Sequence, residues 1–144
     1  MALVICDLDS TLFDIDHRLP LLEFKQWDAF WAAIKDDTPN QWCVELLKGV
    51  QARGHQIAFV SGRNEVARAE TLRQLESLGF GGYPVYMRPE ASREADYRLK
   101  SKLFDNNHEL YEADILFVIE DRQQVVDMWR SKGLTVLQCA DGSY

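Results

Sequence analysis

The chain has 144 residues, 47% of them hydrophobic and 27% charged, with a formal net charge of −7. That length and composition suit one folded domain with a real core. The acidic balance excludes a broad nucleic-acid-coating surface, which needs a basic face, though not a locally basic pocket for one phosphorylated end. No apolar run reaches the roughly 20 residues of a membrane span. The start lacks the basic region of a secretory leader, and the scattered Cys6, Cys43 and Cys139 suit reduced thiols better than disulfides or zinc.

In chain order, the apolar, β-branched segment Leu3-Val4-Ile5-Cys6 predicts a buried strand. It opens onto Asp7-Leu8-Asp9-Ser10-Thr11, two carboxylates one residue apart and then hydroxyls. Taken alone, this segment equally suits a turn or a helix cap. A long insert follows, about residues 13–40, in which Trp27, Phe30, Trp31 and Ile34 fall three or four apart on one helical stripe. Such a stripe packs an insert onto the body or offers an exposed aromatic to a nucleobase. The remainder alternates helix and strand, with helices expected over 41–53, 65–78, 99–111 and 123–132. Strands are expected over 56–60, 84–87, 115–119 and 135–137. This alternation predicts an α/β fold: a parallel sheet of about five strands, helices on both faces, and one domain spanning 1–144.

Ligands of open α/β sheets bind at the carboxyl ends of the strands, and here those ends carry chemistry. The first strand delivers Asp7 and Asp9, the second Ser61, Gly62 and Arg63, and the fourth Glu120, Asp121 and Arg122. A polar loop after the third strand leads to Lys100. Several acids, a hydroxyl and cations at adjacent strand ends describe a site for a hard cation and a phosphoryl group. A receiver domain would place its phospho-acceptor Asp after the third strand, where Met87-Arg88-Pro89 stands. No GxxxxGK[ST] loop is present, and Ser61-Gly62-Arg63 lacks a hydrolase elbow.

DxDxT, a strand ending in a hydroxyl residue, a lysine and a later acidic pair resemble the haloacid dehalogenase (HAD) superfamily of aspartate-nucleophile phosphatases. The likeness extends to the 3′-phosphatase domain of bacteriophage polynucleotide kinase–phosphatase. It rests on Val60-Ser61-Gly62-Arg63-Asn64-Glu65, on Glu120-Asp121-Arg122-Gln123-Gln124-Val125-Val126-Asp127-Met128-Trp129-Arg130, and on Ala140-Asp141-Gly142-Ser143-Tyr144 at the end. The resemblance implies a three-layer Rossmann-like fold with a small cap-like insert. It implies Asp7 as nucleophile and Asp9 as general acid and then base. It further implies Ser61, Gly62, Arg63, Lys100, Arg18 and Asp96 around phosphate and substrate. Mg²⁺ would be held by Asp7, the Asp9 carbonyl and Asp121, with Glu120 behind them. Apart from that family role, Arg18 reads as a solvated loop cation and Asp96 as a helix N-cap. Two positions depart from the common pattern: Ser10 stands where Gly is commoner, and Glu120 where Asp is.

The expected activity is a Mg²⁺-dependent phosphomonoesterase with an aspartyl-phosphate intermediate, removing 3′-phosphate from polynucleotide ends. A small-molecule nucleotidase is the alternative, with a non-catalytic phosphate-binding module behind it. A phosphorylated nucleic-acid end or nucleotide is the expected partner, with no membrane and no identifiable protein partner. The expected location is the cytoplasm, that of the host if the protein is phage-encoded. No kinase segment is recognisable in these residues.

Overall fold

The computed structural model describes residues 2–142, so Ser143 and Tyr144 of the terminal resemblance lie outside the described residues. β1 (Leu3–Cys6) leads into the insert, which holds β2 (Phe13–Asp14), α1 (Leu19–Glu23), α2 (Trp27–Ala32) and β3 (Thr38–Pro39). Then come α3 (Gln41–Ala52), β4 (Gln56–Asn64), α4 (Arg68–Ser77), β5 (Val85–Arg88), α5 (Asp96–Asp105) and α6 (His108–Tyr111). The described chain closes with β6 (Ile115–Glu120), α7 (Gln123–Ser131) and β7 (Val136–Gln138). The main sheet has the order β5-β4-β1-β6-β7, with every pairing parallel, while β2 and β3 form a separate antiparallel ribbon.

The central strand shows why this order forms. Side chains of a strand alternate between faces, and β1 has no polar side chain to expose on either. Val4 and Cys6 join Ile57, Phe59, Leu47 and Leu75 on one face. Leu3 and Ile5 join Ala58, Val118, Val125 and Trp129 on the other. A strand apolar on both faces is stable only with helices on both sides, as in parallel sheets. Each fully buried aliphatic side chain contributes about 1.5–3 kcal/mol. The thiols of Cys6 and Cys43 lie 3.9 Å apart in the first core.

Two expected boundaries move. The expected helix over 99–111 is two helices, because Asn106 and Asn107 break it between α5 and α6; asparagine competes with the helix for backbone hydrogen bonds. The second strand does not stop at Val60 but runs on to Asn64, with its register to β5 shifting between Val60 and Asn64. Its polar end is therefore held within the body, and Ser61, Arg63 and Asn64 are all buried.

Candidate active site

β1 pairs with β4 and β6, with Cys6 opposite both Phe59 and Ile119, so the three strand ends emerge together. Asp7 follows directly, its N–H donating to the Ile119 carbonyl at 3.1 Å. Lys100, buried on α5, donates from Nζ to Asp7 Oδ1 at 2.8 Å and to Glu120 Oε1 at 2.9 Å. Glu120 Oε2 accepts the Asp121 N–H at 3.1 Å. Thr11 Oγ1 lies 3.0 Å from Asp7 Oδ2 and 3.1 Å from Asp121 Oδ1.

This cluster is short of positive charge. Carboxylate oxygens of Asp7, Glu120 and Asp121 lie within 4.8 Å of one another, with one lysine among them. Burial would raise the Asp7 carboxyl, but Lys100 and hydrogen bonds outweigh it and hold Asp7 below its ordinary value. Burial would likewise lower Lys100, yet Asp7 and Glu120 hold its ammonium well above the usual lysine range. The cost falls on the other acids. Burial and the Asp7 charge push Glu120 well up and Asp121 up to about 7. Thr11 has one hydroxyl hydrogen for two acids, so the second contact needs a proton or a cation. Hard oxygen donors, mutual repulsion and this missing hydrogen fit a divalent cation such as Mg²⁺.

Asp9 sits in a different environment. Arg18 Nη2 and Arg63 Nε both donate to its Oδ1 at 2.8 Å. The arginines are fixed in turn by Asp37, which accepts Arg18 Nε at 2.9 Å, Arg18 Nη2 at 2.8 Å and Arg63 Nη2 at 2.9 Å. His17 Nε2 lies 2.7 Å from Asp37 Oδ1. Arg63 Nη1 adds Thr71 and Gln74 on α4 at 3.0 and 2.8 Å. Each guanidinium also lies over a ring: Arg18 over Phe30 at 4.4 Å, and Arg63 over Phe13 at 5.0 Å. Arg18 is thus fully buried and not a solvated loop cation. Asp37 is the site residue that sequence reasoning missed. It lies in the turn-like run Asp36-Asp37-Thr38-Pro39, where nothing marks Asp37 as buried and its neighbour Asp36 as exposed.

The remaining expected residues separate. Ser61 is buried beneath the cleft, its Oγ accepting the Arg63 N–H at 3.0 Å, whereas Gly62 lies on the cleft wall. Asp96 is the first residue of α5, and the N-cap is Ala95. Its carboxylate faces inward and accepts Arg88 Nη2 at 2.6 Å and Arg122 Nη1 at 3.2 Å. Arg88 also donates to the Gly62 carbonyl at 3.0 Å. A Cβ on Gly62 would meet Asp96 Oδ1 at 2.4 Å, so a larger residue there would have to displace the Asp96 carboxylate from its arginines. Ser10 takes a left-handed φ of 62°, which explains why glycine suits that position. Gly62, Arg88, Asp96, Arg122 and Ser10 border one cleft of about 340 Å³, which Asp7, Asp121 and Trp27, Phe30 and Trp31 of the insert also line.

Among the described residues no helix is long and apolar enough to cross a membrane. The sequence matches the family described as polynucleotide kinase PNKP phosphatase domain over residues 1–144. It is 32% identical over 130 residues to a putative bifunctional polynucleotide kinase/RNA ligase of Autographa californica nuclear polyhedrosis virus. The match covers 88% of this chain but 17% of the viral protein. Among solved structures, a chain of the Pnkp1/Rnl/Hen1 RNA repair complex superposes with a TM-score of 0.86 at 28% identity, over 99% of this chain and 43% of that one. A predicted phosphatase from Clostridium acetobutylicum shares the fold, with a TM-score of 0.67 at 12% identity over 95% of this chain and 83% of that one. The chain therefore belongs to the PNKP phosphatase-domain family of HAD phosphatases and is a phosphoric monoester hydrolase.

Proposed function

We propose that this phosphatase removes the 3′-phosphate from a polynucleotide end through an aspartyl-phosphate on Asp7. The observation that carries this reading is the buried Lys100–Asp7 contact of 2.8 Å beside an acid cluster in need of a cation. Asp7 is held anionic by Lys100 and accessible from the cleft. A carboxylate oxygen attacks phosphorus, the bond to the sugar oxygen breaks, and Asp9 delivers a proton to that departing oxygen. Asp9 then accepts a proton from water as the water oxygen attacks the aspartyl-phosphate. Inorganic phosphate leaves, and Asp7 is restored. Arg18 and Arg63 keep Asp9 aimed at the leaving oxygen, and Ser61 braces the strand end from which Gly62 faces the phosphoryl group.

Asp7, Asp121 and the Asp9 carbonyl would hold Mg²⁺, with Glu120 orienting Asp121 and Lys100 from behind. The ion supplies positive charge against the repulsion between a phosphate dianion and the acid cluster. A polynucleotide end is favoured by the company the relatives keep, an RNA ligase and an RNA repair complex by their names. The modest cleft also suits the alternative substrate, a free mononucleotide.

The test is phosphate release from 3′-phosphorylated RNA and DNA oligonucleotides, 3′- and 5′-mononucleotides and sugar phosphates, with Mg²⁺ and with EDTA. Turnover of the 3′-phosphorylated oligonucleotides is expected to be fastest, dependent on Mg²⁺ and abolished by Asp7→Asn. Wild-type rates from Asp7→Asn would overturn the mechanism. A preference for mononucleotides would overturn the substrate.

A further inference from the structure

We propose that α2 carries a nucleobase platform, the exposed face of Trp27, which stacks on the base of the nucleotide whose phosphate reaches Asp7. This rests on the reading of the cleft as a phosphatase site for nucleotide esters. The aromatic stripe divides in an informative way. Phe30 and Ile34 are buried and Trp31 is half-buried, but Trp27 is 40% exposed and borders the cleft. A stripe that served packing alone would bury its large first member against the body.

The exposed ring is also backed by two other rings. Trp27 stacks on Trp31 with centroids 6.0 Å apart and planes 22° from parallel. Phe30 meets Trp27 edge-on at 6.1 Å and Trp31 at 4.8 Å. A flat apolar face held in place loses little entropy when a base covers it, and every base has a π-face to offer. The cleft volume of about 340 Å³ lies at the small end of ligand sites, suited to one terminal nucleotide and not to a duplex. Arg93 borders the same cleft and is exposed, making no ion pair among the described residues, so it is available to an adjoining phosphate. Phe30 connects this platform to catalysis, because its ring lies 4.4 Å from the Arg18 guanidinium that holds Asp9.

The experiment compares KM for a 3′-phosphorylated oligonucleotide ending in adenosine with KM for the same strand ending in an abasic sugar. The wild type is expected to prefer the base-bearing end by about 10- to 100-fold in KM, the range of a base–aromatic stack. Trp27→Ala should reduce that preference to near one, and Trp27→Phe should retain most of it, which separates stacking from misfolding. An equal preference in wild type and Trp27→Ala would overturn the platform. If the wild type releases phosphate from neither strand, the reaction assignment has failed instead. Calorimetric binding of adenosine 3′-monophosphate to wild type and Trp27→Ala then decides the platform by itself, and equal affinities would overturn it.

Discussion

Two charged clusters lie side by side at the end of β1, and they balance charge in opposite ways. Around Asp7, three carboxylates share one lysine. Around Asp9, two arginines face two aspartates, and all four side chains are locked by mutual hydrogen bonds. The first cluster has room for an added cation, while in the second each carboxylate is paired with both arginines. The difference suggests how an α/β phosphatase can separate its tasks. In the proposed mechanism the nucleophile and metal ligands sit at the ends of β1 and β6, where three acids surround one lysine. In that mechanism the acid/base residue, Asp9, is aimed by Arg18 of the insert and Arg63 of β4, both fixed by Asp37.

Removing the single cation of the first cluster tests this contrast most severely. Lys100→Met leaves Asp7 and Glu120 buried without their partner. It should lower stability by about 3–5 kcal/mol in urea unfolding with EDTA and kcat/KM by at least about 100-fold. Added Mg²⁺ should recover part of the stability. Asp37→Ala attacks the second cluster and is expected to cost about 3 kcal/mol, with no recovery by Mg²⁺. Recovery there would merge the two clusters into one.

A third test uses pH. The Asp121 carboxyl is pushed up to about 7, above its ordinary 3.8, so between about pH 4 and 7 the folded protein keeps a proton that the unfolded chain has released. Stability from this group is therefore present at low pH and lost as pH rises through that window. In EDTA, Asp121→Asn should gain melting temperature relative to wild type from pH 4 to 7, and a flat difference would contradict the shift. The smallest effect is expected at Ser10, whose left-handed φ of 62° strains a residue with a Cβ. Ser10→Gly should stabilise by up to about 1 kcal/mol in thermal unfolding, with little change in the Mg²⁺ response.

The carboxylates of the first cluster were legible in the sequence because they follow recognisable strands. Asp7, Glu120 and Asp121 come directly after short apolar runs, and the change from apolar to polar marks the strand end. The brace was only half legible. Arg63 came from its strand end and Arg18 through resemblance, but Asp37 acquires its role from tertiary contacts that no local pattern encodes. The Gln-Val-Val block of α7, which carries part of the family resemblance, places its valines in the core. Val125, Val126, Met128 and Trp129 are all buried, with Trp129 edge-on to Phe104 at 5.6 Å. The segment that most sharply identifies the relatives is therefore mainly core packing between α5 and α7, with Gln124 bordering the cleft. Gly142 is a further position whose need only structure reveals. A Cβ there would come within 2.0 Å of the Asp121 carbonyl oxygen, so the terminal segment packs directly on the acid loop.

The central place of β1 in the sheet bears on how this protein is assembled in time. Lys100 lies 93 residues from the aspartate it holds, and Asp121 lies 110 residues from the Thr11 hydroxyl that bridges it. Contacts of such separation form late and close together during folding, after long loops have been drawn in. No fragment from either end of the chain could contain a working half of the site. Appearance of activity during refolding should therefore coincide with burial of the last strands, making turnover itself a reporter of complete folding.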